Sequence, residues 1–213
     1  MEDATANALR AWLISNVGQR KNRSMRSVAI LAVCLTGLLS ICGAQGVAKP
    51  QRDALLEKEL SAMAAADQRV RTNRETSKEE WEVVDARNLK RMKEVVAAYG
   101  WPGYSLVGGA GAGDAFLLVQ HCDKDPKFQE LCLGLLEKAV AVGEASPVHF
   151  AYLLDRVRTH QAKPQVFGTQ FANGELYSLE DPEHVDERRR SVGLGPLKEY
   201  LDQMRRAKKE PNQ

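Results

Sequence analysis

The sequence predicts a mainly α-helical fold, a compact bundle of about six or seven helices with one small β-hairpin at about residues 165–179. Three observations lead there. Apolar residues recur at the helical period through most of the chain after residue 53. Helix-opening signals stand in front of those stretches: Ser77 with Glu80, Asp125 with Pro126, and Ser146 with Pro147. The period breaks once, at PQVFGTQF-ANG-ELYSL, where Asn173-Gly174 separates two runs of strand-forming residues. With 213 residues, 44% of them hydrophobic, the chain can bury one full core, and its length favours one domain over two.

The first helix runs from about Asp53 to Arg71, with Leu56, Leu60, Met63 and Val70 as its stripe. Asp67 falls inside that stripe and Arg71 follows one turn later on the same side. Such a pair turned toward a core has to be mutually satisfied or it is costly. The second helix starts at the Ser77/Glu80 capping box and ends at Gly100 and Pro102; Trp81, Val84, Leu89, Met92, Val95, Val96 and Tyr99 mark its buried side. Asp85 and Asn88 lie in the middle of that side, so Asp85 needs a cationic or donor partner, for which Arg71, Arg156 and Arg189 are candidates.

Glycines 108, 109, 111 and 113 resemble a phosphate loop only in number: no G-K-[ST] follows and the spacing is not G-x-G-x-x-G. They are expected to form a flexible approach to a buried helix capped by Asp114 and running through Ala115–Val119, ending at the H-x-D pair His121 and Asp123. Positions 128, 131, 132, 135, 136 and 139 then fit one helical face, opened by Asp125-Pro126 and closed by Gly143. Ser146 opens the next helix, whose stripe is Phe150, Leu153, Leu154 and Val157 and whose polar edge is His149, Tyr152, Arg156 and His160. The hairpin must lie against the helices to be stable, bringing Gln165, Thr169 and Gln170 toward that edge. Asp181-Pro182 open a helix with Val185, Arg189 and Val192 on one face. Gly195-Pro196 open a last one with Leu197, Tyr200, Leu201 and Met204 inward, and residues 205–213 are expected to form a basic disordered tail.

At the other end, Arg20, Lys21, Arg23 and Arg26 precede VAILAVCLTGLLSICGA, the pattern of a secretory signal peptide. Residues 1–44 are read as that signal, with Met25 an alternative start, or as an uncleaved N-terminal anchor, and residues 45–52 as a linker into a domain over 53–204. The expected location is exported, periplasmic or secreted. Cleavage leaves Cys122 and Cys132, which can either pair in an oxidising compartment or stay thiols, Cys132 being in register with core positions. The net charge of +2, spread over interspersed charges, gives no basic face for nucleic acid.

DQRVR at 67–71, VDARN at 84–88, GWP at 100–102, SLVG at 105–108, LLVQHCD at 117–123, DPKFQ at 125–129, SPVHFAYLLDRV at 146–157, PQVFGTQF at 164–171 and VDERR at 185–189 together resemble an uncharacterised bacterial domain-of-unknown-function family. That resemblance spans about Asp53 to Met204 and implies no substrate, cofactor or catalytic residue.

Several helices place Asp67, Arg71, Asp85, Asn88, His149, Arg156 and Arg189 in or beside an apolar stripe, which points to a shared polar centre. One reading is an internal network of ion pairs fixing helix register. The other is a small-ligand pocket or hydrolase-like active site, with His121 or His149 as general base and Asp155 or Asp85 orienting it. Asp85, Asn88, Arg156, Gln170 and Arg189 would then bind the ligand. Hydrolysis is suggested by compartment alone, since no nucleophilic-serine elbow or H-E-x-x-H occurs. No cofactor is required, and the one metal arrangement the residues offer is His121, Asp123 and His149. A third reading, a non-catalytic binding module of the cell envelope, would carry an exposed apolar patch instead.

Overall fold

A computed structural model describes residues 52–209; the signal-peptide, anchor and linker readings for 1–51 lie outside the described residues. Those residues form seven helices and one short antiparallel hairpin, so the fold is mainly α as expected. They are α1 (Ala54–Thr72), α2 (Lys78–Tyr99), α3 (Tyr104–Gln120), α4 (Pro126–Ala141), α5 (Pro147–His160), β1 (Phe171–Ala172), β2 (Glu175–Leu176), α6 (Val185–Ser191) and α7 (Leu197–Lys209), with a 3₁₀ turn at Pro182–His184 before α6.

The caps read from sequence are in place because each satisfies an N–H that the first helical turn leaves over. Ser77 accepts from Glu80 N while the Glu80 carboxylate accepts from Ser77 N. Asp125 accepts from Phe128 N, and Ser146 from Val148 N. Asp53 does the same for α1, accepting from Leu55 N and Leu56 N.

The core is built mainly where α1 packs on α3 and α4 on α5, with α2 laid against α1 and α3. Leu60, Met92, Val107, Ala115, Leu118, Val119, Cys132, Leu136 and Leu153 are fully enclosed there. Burying one leucine side chain contributes about 2 kcal/mol, so each of these enclosed side chains adds appreciably to the gross stabilisation.

Four expectations differ. The helix ending in the H-x-D pair begins at Tyr104, so Asp114 is inside it rather than capping it; the glycine stretch is helical apart from a kink at Gly108, whose φ of 69° suits a residue without a side chain. Arg52 fills the space there, its Nη2 only 2.6 Å from where a Cβ on Gly108 would stand. The first half of α2 is only partly covered, leaving Trp81 40% exposed, because a periodic stripe marks a face without saying how far its neighbours reach. Leu131 likewise lies 56% exposed at the edge of a groove between α2 and α4 rather than in the core. Finally, the hairpin turns at Asn173-Gly174, both with positive φ as a two-residue turn requires, but pairs only Phe171 with Leu176 and Ala172 with Glu175. Residues 165–170 do not form a strand in that sheet. They wrap around a carboxylate.

Cys122 and Cys132 are free thiols, both buried. Burial pushes both upward in pKa, Cys132 to about 12. Helix α7 runs through Arg205 to Lys209.

Candidate functional site

The polar residues do not meet at a single point; they form three assemblies. The first sits where the C-terminal end of α1, the first half of α2 and the end of α3 come together. Arg71 Nη2 lies 3.0 Å from Asp67 Oδ1 and 2.8 Å from Asp85 Oδ1, so the guanidinium is the partner that Asp85 required. Asp67 is 1% exposed and its other oxygen lies 2.8 Å from Nδ1 of His121, which caps the end of α3. Burial opposes the charge on Asp67, but the His121 hydrogen bond and the nearby cationic groups outweigh it and hold the carboxyl below its ordinary pKa. Trp81 covers the other side of the guanidinium, 4.9 Å from its carbon to the ring centre.

Two features set this corner apart. His121 Nδ1 faces both Asp67 Oδ2 and the Nε–H of Arg71, which lies 2.9 Å away. One ring nitrogen can serve only one of them. As a donor to Asp67 it leaves Nε2 with a free lone pair, and as an acceptor from Arg71 it leaves the proton on Nε2. Among the described residues Nε2 has no hydrogen-bond partner, and neither have Arg71 Nη1 and Asp85 Oδ2. One turn beyond Asp85 on the same face of α2, Asn88 is only 3% exposed, yet both ends of its amide lack a partner. Gln120 Oε1, beside His121 in the chain, is a further buried atom without one.

The second assembly joins α3, α4, α5 and the loop before β1. Arg156 grips Asp123 through two nitrogens, with Nε to Oδ1 at 2.8 Å, and reaches Gln170 Oε1 through Nη1 at 3.3 Å. Gln129, fully buried, donates to Asp123 Oδ1 and to the carbonyls of Val119 and Gln120 that end α3. Its own carbonyl meets His160 Nδ1 at 3.1 Å. Burial works against the Asp123 charge here too, but Arg156 and Gln129 together hold its pKa low.

The third is the loop that displaced the expected strand. Asp155, fully buried on α5, accepts from Val166 N at 2.6 Å, Phe167 N at 3.1 Å, Thr169 N at 3.1 Å and the Thr169 hydroxyl at 3.0 Å. Burial nevertheless pushes its carboxyl above the ordinary carboxylate value, against those bonds. Gln165 closes the same loop, donating to Gln170 O and Tyr177 O and accepting from Gln170 N. Arg189, 2% exposed, donates to Phe167 O at 2.7 Å and Gly195 O at 2.6 Å and lies over the Tyr200 ring. Burial pulls its pKa down. Gly168 needs its freedom, since a Cβ there would come within 2.9 Å of Leu197.

The expected site residues are thus divided. His121, Asp85 and Asn88 belong to the first assembly, Arg156 to the second, Asp155 and Arg189 to the third, and Gln170 joins the second to the third. Asp155 orients neither histidine; it holds a loop. Nor does Arg189 face open space, being spent on the carbonyls of Phe167, Gly168 and Gly195. His149 stands apart from all three, stacked flat on Phe116 with ring centres 4.1 Å apart, and burial lowers its pKa. Among the described residues no three His, Cys, Asp or Glu side chains are grouped to hold a metal ion. His121 and Asp123 are bound into different networks. The partner that sequence reasoning missed is Asp67 for His121. Its position inside an apolar stripe was the visible sign.

A mainly helical domain with a charged, partly open corner at the junction of three helices is the class that fold and geometry define. The chain belongs to a family of unknown function, DUF6624, whose model matches residues 54–209. Among curated proteins and solved structures nothing matches it.

Proposed function

We propose that this is an exported domain that holds a small ligand at the α1–α2–α3 corner, with His121 as its proton-accepting group. The buried amide of Asn88 carries the reading. A buried polar group without a partner costs about 1–3 kcal/mol, and such groups are otherwise satisfied throughout the loop around Asp155. A side chain kept at that cost one helical turn from Asp85, whose second carboxylate oxygen is free, is what a ligand site needs before its ligand arrives. Asp67 would orient His121 in the way that a buried carboxylate orients a general base. Export rests on the basic and then apolar stretch ahead of residue 45.

The second and third assemblies favour a different reading of their own residues, as architecture. Asp123 with Arg156, and Asp155 with its loop, are paired within the protein and fix how α3, α5 and the segment after α5 meet. Were the first corner of the same kind, the domain would be a non-catalytic envelope module with an internal network.

Asn88→Leu separates the two. For a residue kept for a ligand, the variant should be more stable by about 1 kcal/mol, a rise of about 2–4 °C in melting temperature for a domain of this size. A melting temperature that falls by that amount would show the amide to be structural and would remove the ligand reading.

A further inference from the structure

We infer that the ligand of this corner is a neutral polyhydroxylated ring, a saccharide unit; this rests on the ligand reading above. Asp67 and Asp85 share one guanidinium, so two carboxylates face the single positive charge of Arg71, which disfavours an anionic ligand. The groups left without partners are mixed in kind. Arg71 Nη1 and Asn88 Nδ2 donate, while Asp85 Oδ2, Asn88 Oδ1 and, in one tautomer, His121 Nε2 accept. A hydroxyl group both donates and accepts through one atom, so adjacent hydroxyls can satisfy neighbouring donors and acceptors together. An alkylammonium offers no acceptor to Arg71, and a phosphate brings negative charge against two carboxylates that share one guanidinium.

The apolar half of the ligand is provided for as well. Trp81 holds Arg71 against its ring yet remains 40% exposed at the same corner, a platform for the C–H face of a sugar ring. Planar polar side chains fixed by one another beside a half-exposed indole match a molecule with polar edges and an apolar face. The guanidinium is fixed in advance by two carboxylates and the indole, so little ordering remains to oppose binding.

The test is calorimetric titration of the full chain with glucose, N-acetylglucosamine, inorganic phosphate and ethylamine, each against the parent, Asp85→Asn, Asn88→Leu and Trp81→Ala. Trp81 and Asp85 are not core residues, so those variants are expected to fold. The expected result is binding of at least one sugar with a dissociation constant of about 1 mM or tighter, weakened at least about tenfold in each variant, with phosphate and ethylamine inert. Binding of phosphate or ethylamine that the same variants abolish overturns the saccharide inference and leaves the ligand site standing. Sugar binding unaffected by all three variants overturns the placement of the saccharide at this corner. No binding by any probe, with Asn88→Leu more stable than the parent, also overturns the saccharide inference alone. No binding with Asn88→Leu less stable removes both.

Discussion

Replacing Asp155 with alanine strips the loop after α5 of its organising acceptor. The N–H groups of Val166, Phe167 and Thr169 and the Thr169 hydroxyl all end on that carboxylate. Each of the three backbone donors left buried without a partner costs about 1–3 kcal/mol. Part of this is recovered, because water enters the vacated space and a carboxylate whose charge burial disfavours is removed. The net loss should be about 3–5 kcal/mol, a large share of the roughly 5–15 kcal/mol that holds a domain of this size. Asp155→Asn keeps one acceptor but turns an NH₂ toward donors, and should lose about half as much. Urea unfolding followed by circular dichroism gives the total, and hydrogen exchange at Val166, Phe167 and Thr169 gives its location. A loss below about 1 kcal/mol in the alanine variant, with those three amides still protected, would refute the view that the carboxylate holds the loop.

Three more outcomes follow from the same structure. Burial keeps His149 below its ordinary pKa, so the unfolded chain binds the proton more readily. Stability from this residue is complete above the unfolded imidazole value of about 6.5 and declines as pH falls toward the folded value; His149→Phe, which keeps a ring against Phe116, should flatten urea midpoints between about pH 5 and 7. Asp67 and Asp123, with lowered folded values, act in a separate and more acidic window: their contribution is complete above about pH 3.9 and is lost as pH falls through their folded pKa. On α4, Leu131→Lys should change stability by less than about 0.5 kcal/mol, because the side chain is 56% exposed, whereas Leu136→Ala, fully buried, should cost about 2–5 kcal/mol in the same unfolding assay.

Much of the helical frame could be read from local signals. The caps at Ser77, Asp125 and Ser146 depend on a few neighbouring atoms, and the stripe Phe150, Leu153, Leu154 and Val157 depends only on the phase of one helix; all four side chains are buried. The pairing of Asp85 with Arg71 was within reach because a carboxylate on a buried face admits few partners. Two things depended on the relative rotation of separate helices, which no single stripe records. One was that Asp67, not Asp155 or Asp85, faces His121. The other was that the polar residues divide into three groups. The role of Asp155 was hidden for another reason: PQVFGTQF has the composition of a strand, but its backbone donors turn inward onto one carboxylate, and no periodicity reports where a loop's N–H groups point.

The clasp between Asp155 and residues 166–169 also bears on how the chain is made. Helices α1 to α5 leave the ribosome first, and the acceptor on α5 emerges 11 residues ahead of its nearest donor and 14 ahead of its farthest. Until that short stretch is out, the Asp155 carboxyl has none of its four donors, so covering it costs either an unpaired charge or the uptake of a proton. Translation that stops between Gln161 and Gln165 would leave five helices with Asp155 short of all four of its donors. Expression boundaries for this protein therefore belong after α7, and a fragment ending at α5 should reach the cell as a substrate for proteases.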